Sequence, residues 1–195
     1  MLQSCYLRNE GNGKFTMIPL PKEAQFSAIN GMVADDFDGD GNLDLFINGN
    51  DYSTSVGIGQ YDALNGLLLK GDGAGGFSPL SMLQSGVNIP GNGKALVKLM
   101  GANDKYMIAA TQHRGDLKLF ELNKKQRTIR VNPDDRTVLL KLSDGKSQKQ
   151  ELNQGSSFLS QSVSFLSVGD FVTSIQITNN RGVVRNIFLD AINVK

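Results

Sequence analysis

The chain has 195 residues, 39% of them hydrophobic, with 20 Lys and Arg against 19 Asp and Glu, one cysteine and a formal net charge of +1. That length can bury a core without covalent staples, and a single cysteine excludes an internal disulfide. The near-neutral balance excludes a global field that would draw the chain to nucleic acid, and no run approaches the ~18–20 apolar residues of a membrane-spanning helix.

Charge is unevenly placed. Residues 1–123 hold 9 basic and 13 acidic side chains, whereas residues 124–195 hold 11 and 6. The basic second part reads as a solvated face or as a surface for an anionic partner. Cys5 reads as a buried, inert thiol. The N-terminal MLQSCYLRNEGNG has neither the basic region nor the apolar core of a signal peptide. The chain is therefore expected to be cytoplasmic or to be part of a longer one, and its internal echoes favour the second.

The first legible segment is YLRNEGNGKFTMIP, Tyr6 to Pro19, and it is echoed by LLLKGDGAGGFSPL, Leu67 to Leu80. Gly11, Gly13 and Phe15 align with Gly73, Gly75 and Phe77. Each segment predicts a short strand, a glycine-rich turn and an aromatic that opens a second strand, which is a β-hairpin pattern.

Between the echoes lies DFDGDGNLD, Asp36 to Asp44. Four aspartates at relative positions one, three, five and nine repel one another unless a cation neutralises them. Gly39 and Gly41 permit the tight winding that turns alternate carboxylates inward. Asp36, Asp38 and Asp40 are expected to supply side-chain ligands, Asn42 its backbone carbonyl, and Asp44 a closing carboxylate. An all-oxygen set of this kind suits calcium better than magnesium, which keeps more of its water. An EF-hand would need a bidentate Glu at position twelve, where Ile47 stands, and the exiting LDLFI is a strand pattern.

Asn48 to Gly66 is polar and glycine-rich and reads as a surface loop, either a plain insertion or a place for a ligand contact. Ala95–Met100, Tyr106–Ala110 and Leu117–Leu122 read as three strands that repeat the order around Asp36 without its aspartates. Residues 124–136 are basic, contain Pro133 and read as a linker. Beyond them, Thr137–Leu142, Gln148–Leu152, Ser162–Leu166, Val172–Thr178 and Val183–Phe188 read as short strands of a small all-β sandwich or barrel. No amphipathic helix is apparent.

Other candidate chemistry fails on spacing. Gly91–Ala95, GNGKA, lacks the upstream glycine and the Ser/Thr of a phosphate loop. His113 is the only histidine and reads as a turn residue. Asp134 and Asp135 follow Pro133 and read as a solvated turn. No catalytic constellation emerges.

VADDFDGDGNLDLFINGN, Val33 to Asn50, resembles the FG-GAP (VCBS-type) repeat of integrin-α-like β-propellers, whose D-x-D-x-D-G-x-x-D calcium loop precedes an apolar strand. The match is complete at Asp36, Asp38, Asp40, Asn42 and Asp44, and the two echoed hairpins are similar to the one that follows each such loop. This resemblance covers residues 1–123. Residues 137–195 are similar to the ASPIC/UnbV-type domain of bacterial exported proteins, on Val138–Ser162 and Val172–Ile187. The family's Trp-Pro stretch is missing, and Thr178-Asn179-Asn180 stands in its place.

The resemblance implies an all-β protein with incomplete propeller blades over 1–123, a linker over 124–136 and a β-sandwich-like domain over 137–195. A propeller needs four or more blades, so missing blades or a partner copy are expected to complete the sheet. The implied function is a calcium-binding, non-catalytic module of an extracytoplasmic bacterial protein, used for adhesion or for binding a glycan or protein. The alternative is the C-terminal part of a propeller-fold polysaccharide lyase or hydrolase whose catalytic residues lie elsewhere. Neither nucleic acid nor a membrane span is implied.

Overall fold

The computed structural model describes residues 3–123, 127–153, 155 and 161–189. Among these the protein is all-β, with antiparallel pairing throughout. Strands β1 (Cys5–Gly11) and β2 (Lys14–Pro19) form a two-stranded hairpin. Asn12 and Gly13 both adopt positive φ at its tip, as an Asn-Gly turn of the primed type requires.

A four-stranded meander follows, in the order β3 (Ile29–Asp35), β4 (Asp44–Gly49), β5 (Leu67–Gly71) and β6 (Phe77–Leu80). Alternation decides its faces. Val33 in β3 and Phe46 in β4 are buried on one face, with Leu68 of β5 packed against them, while Ile47 in β4 and Leu67 and Leu69 in β5 are buried on the other with Leu20, Ala24 and Leu64. The two echoed hairpins are β1–β2 and β5–β6, and the paired glycines 11/73 and 13/75 share positive φ. The first packs on the second. Tyr6 meets Phe77 edge-on with ring centroids 6.0 Å apart, and a Cβ on Gly75 would lie 2.8 Å from the Tyr6 ring.

A three-stranded sheet comes next: β7 (Gly93–Met100), β8 (Tyr106–Gln112) and β9 (Lys118–Glu121). The turn at Ala102–Asp104 takes the place that the aspartate loop holds between β3 and β4. Strands β3 and β7 approach closely because Gly31 leaves room. A Cβ there would come 2.8 Å from that of Leu96. Val33, Phe46, Leu96, Tyr106, Ile108 and Ala110 fill one core between these sheets.

In the last third, β10 (Arg127–Arg130) pairs with β13 (Phe165–Val168). A second sheet has the order β12 (Ser147–Glu151), β11 (Asp135–Leu142), β14 (Val172–Asn179) and β15 (Val184–Phe188). Val138, Leu140, Ile175 and Ile177 from the larger sheet and Leu166 and Val168 from the smaller enclose a separate core. Several details depart from the sequence reading. Residues 127–130, within the stretch read as a linker, are strand β10. The strand read at Ser162–Leu166 lies at Phe165–Val168. Asp135 is 4% exposed rather than solvated, because the Arg185 guanidinium sits 2.5 Å away and the Asn132 N–H donates to the same carboxylate. Cys5 is half-buried. No helix among the described residues is long and apolar enough to cross a membrane.

Phe165 joins the two cores. Its ring lies edge-on to Tyr106 at 5.0 Å, and it packs in the cluster of β3, β4, β7 and β8 rather than that of its own sheet.

Candidate metal centre

The aspartate loop occupies the turn between β3 and β4, and its own backbone winds around Asp36. One Asp36 oxygen accepts from the N–H groups of Gly39, at 2.6 Å, and Asp40, at 3.1 Å. The other accepts from Gly41 N–H at 2.9 Å. Gly39 and Gly41 have φ of +74° and +93°, a region open to glycine at little cost. Asp38 accepts from Asp40 N–H, and Asp40 from Asn42 N–H. This winding brings ligand oxygens of Asp36, Asp38 and Asp40 within 4.8 Å of one another. Three hard oxygen donors at that separation can hold a metal ion.

The structure treats the other two expected ligands differently. Asp44 is 2% exposed and stands outside that trio. Its oxygens accept from Phe37 N–H at 3.0 Å and Gly71 N–H at 2.9 Å, so it ties the loop to the edge of β5. Asn42 lies over the β5–β6 turn, where a Cβ on Gly73 would come 2.2 Å from its side-chain oxygen.

Electrostatics follow this placement. Burial pushes the Asp36 carboxyl above its ordinary value, with the charges of Asp40 and Asp44 adding to it and the Gly41 and Gly39 N–H groups opposing. Asp44 is raised mainly by burial, against the N–H groups of Gly71 and Phe37. Asp40 is held low. Burial raises it, but the Asn42 N–H and the Lys70 ammonium outweigh that.

Lys70 escaped the sequence reading. Its ammonium pairs with Asp38 and stands 3.0 Å from Asp40, and both carboxylates raise its pKa. Its only local signal is a lysine in an apolar strand, because its partners lie some thirty residues earlier. The β4–β5 register, with Leu45 opposite Leu69, is what carries it to the loop.

The loop is braced from behind. Asp36 N–H donates to Asp35, whose carboxylate also receives Lys98 Nζ at 2.9 Å and the Tyr106 hydroxyl at 2.7 Å. Burial and the Asp35 charge raise the Tyr106 pKa well above its usual value. On the other flank, a Cβ on Gly41 would meet the Phe171 ring at 3.1 Å. The loop therefore touches β5, the β7–β8 sheet and Phe171, immediately before β14.

Neither a protein-family model nor a curated protein matches this chain.

Proposed function

We propose that this chain is a calcium-binding, non-catalytic β-module of an extracytoplasmic bacterial protein, built from FG-GAP/VCBS-type repeat units and an ASPIC/UnbV-like domain. Its role is adhesion or the binding of a glycan or protein. The observation that carries this reading is the convergence of Asp36, Asp38 and Asp40 on a loop that joins two antiparallel strands. The donor set is all oxygen and anionic, which fits a hard divalent cation, and calcium tolerates the irregular shell such a loop offers. The shared backbone conformation of the two echoed hairpins supports the repeat reading.

The cation's task is structural. It neutralises a cluster of like charges and ties the β3–β4 turn to the sheets behind it. Titration calorimetry on protein first freed of metal tests this. Calcium is expected to bind the wild type more tightly than magnesium does, and Asp38→Ala to lose most of that affinity. Equal calcium binding by both proteins would sink the assignment.

A further inference from the structure

At the other end of the same strands lies a cleft of about 520 Å³. Strand β4 runs from Asp44 at the aspartate loop to Gly49 beside this cleft, a separation of roughly 15–20 Å at the usual rise per residue. Three segments build it. The 50–66 loop supplies Asp51, Tyr52 and Gln60, the GNGKA stretch supplies Asn92 and Lys94, and the β8–β9 turn supplies His113 and Arg114. Its volume lies in the range of small-ligand sites.

The segments are fastened to one another by backbone. Asp51 and Tyr61 exchange two hydrogen bonds of 2.9 and 3.0 Å, and His113 N–H donates to the Asn92 carbonyl at 2.8 Å. Asn50, fully buried, donates to the carbonyls of both Leu64 and Gly91. The floor is thus preformed, which reduces the ordering cost of binding.

Two features of the lining point to a ligand. First, Lys94 and Arg114 lie in the cleft, and neither makes an ion pair within 4.0 Å among the described residues; Asp51 lies near enough to Lys94 for that charge to lower its pKa, after the larger effect of Ser53. Arg114 also holds φ of +57°, a conformation that glycine or asparagine adopts with less strain. Second, Tyr52 and Gln60 line the same cleft, and their hydroxyl and amide groups can exchange hydrogen bonds with the hydroxyls of a ligand.

We infer that this cleft binds a carboxylated sugar, such as one uronic acid residue of an acidic glycan. A carboxylate suits the planar fork of Arg114 together with Lys94. The hydroxyls of a sugar suit the hydroxyl and amide groups of Tyr52, Ser53 and Gln60, which a bare carboxylate or phosphate would leave unused. The Tyr52 ring and the Gln60 amide supply an apolar face and a further polar contact. This inference rests on the glycan-binding reading proposed above and names its ligand class and place.

Calorimetry on the whole chain in calcium tests it, with tri-galacturonate, a neutral galactose trisaccharide and inorganic phosphate as probes. The acidic trisaccharide is expected to bind at least tenfold more tightly than either alternative. Arg114→Gly, which suits the positive φ and so keeps the fold, is expected to cost at least tenfold in affinity with an unchanged or higher melting temperature. Asp38→Ala, at the far end of the strands, is expected to retain saccharide binding. Undiminished binding by Arg114→Gly would place the ligand elsewhere and overturn the site while leaving the glycan reading intact. Equal binding of the neutral sugar, or phosphate binding as tight as the trisaccharide's, would overturn the ligand class. Binding of no saccharide at all would overturn both this site and the glycan part of the proposed function.

Discussion

Lys98 places its ammonium 2.9 Å from the Asp35 carboxylate, in the strand residue immediately before the aspartate loop, although 63 residues separate the two. The same ammonium lies 4.8 Å from the centre of the Phe165 ring and donates to the Phe165 carbonyl at 3.2 Å. One cation thus ties β3 to β7 and both to β13. Removing it leaves a largely desolvated carboxylate with only Tyr106 and a backbone N–H. Lys98→Met is expected to destabilise the protein by about 3 kcal/mol. Lys98→Met combined with Asp35→Asn should cost less than the two single changes together, measured by urea unfolding. Simple additivity would show that the pair is not coupled.

Lys70 stands where a bound cation would draw on Asp38 and Asp40. Both its salt bridges are exposed at the lysine, so they are weak and screened by salt. Replacing it by Met removes a competitor and raises the local negative charge. Calcium affinity is expected to rise about two- to fivefold, with the gain shrinking at high ionic strength. An unchanged affinity would mean that Lys70 leaves the carboxylates at no cost.

Titration of the loop has a defined sign. Asp36 and Asp44 sit above their ordinary value of 3.8 in the folded chain, chiefly through burial. The metal-free folded state then holds their protons more tightly than the unfolded state. Their contribution to stability therefore falls as pH rises from 3.8 through their folded values. Asp40 acts oppositely and at lower pH, since its contribution is lost as pH drops below 3.8 through its lowered value. In chelator, Asp36→Asn is expected to flatten the fall in stability as pH rises above 3.8. Added calcium should flatten it in the wild type. Parallel pH curves for wild type and variant would contradict the assignment of these shifts.

Gly71 is held by its surroundings rather than by its torsions. A Cβ there would lie 2.1 Å from the Leu43 carbonyl oxygen, and its N–H is one of the two that hold Asp44. Backbone cannot swing aside as a side chain can. Gly71→Ala should cost about 3 kcal/mol and weaken calcium binding in the same variant. Gly57, with nothing within 4 Å, provides the control, and Gly57→Ala should change the melting temperature little.

The β1–β2 hairpin has no third strand among the described residues, and Leu7, Phe15 and Met17 are 58%, 62% and 55% exposed along it. Two strands alone are marginal in water, and this pair leans on Tyr6 against Phe77 and Gly75. Its amides are expected to exchange with deuterium well before those of β4 and β8. Protection equal to that of β8 would show that the hairpin opens only with the whole fold.

The sequence made the antiparallel strands legible where alternation was clean, as in β14, or where an apolar run met a glycine-rich turn, as in β5. The aspartate loop was legible because its winding is local. Asp36, Asp38 and Asp40 need only the two glycines between them to converge. Asp44 was harder to read, since its oxygens are taken by backbone donors, one of them 27 residues away at Gly71. Lys70, Lys98 and Tyr106 gave no local sign at all, because pairing of distant strands brings them to the loop. Strand β10 was hidden by its basic residues, which masked the apolar Ile129 packed on the second core. The cleft was hidden for the same reason as Lys70. Its three segments lie about twenty to thirty residues apart in the chain, and no one of them makes a cleft by itself.

The bracing of the aspartate loop also bears on the order in which the chain can assemble. Asp35 takes partners 63 and 71 residues downstream, and closing spans of that length precedes any gain from the contacts they allow. A nascent chain must emerge through Tyr106 before its loop can be anchored. A synthetic peptide of residues 36–44 would carry every aspartate and lack the walls, so it should coordinate calcium far more weakly than the protein does. The winding of the loop is local, whereas its bracing waits on strands far downstream.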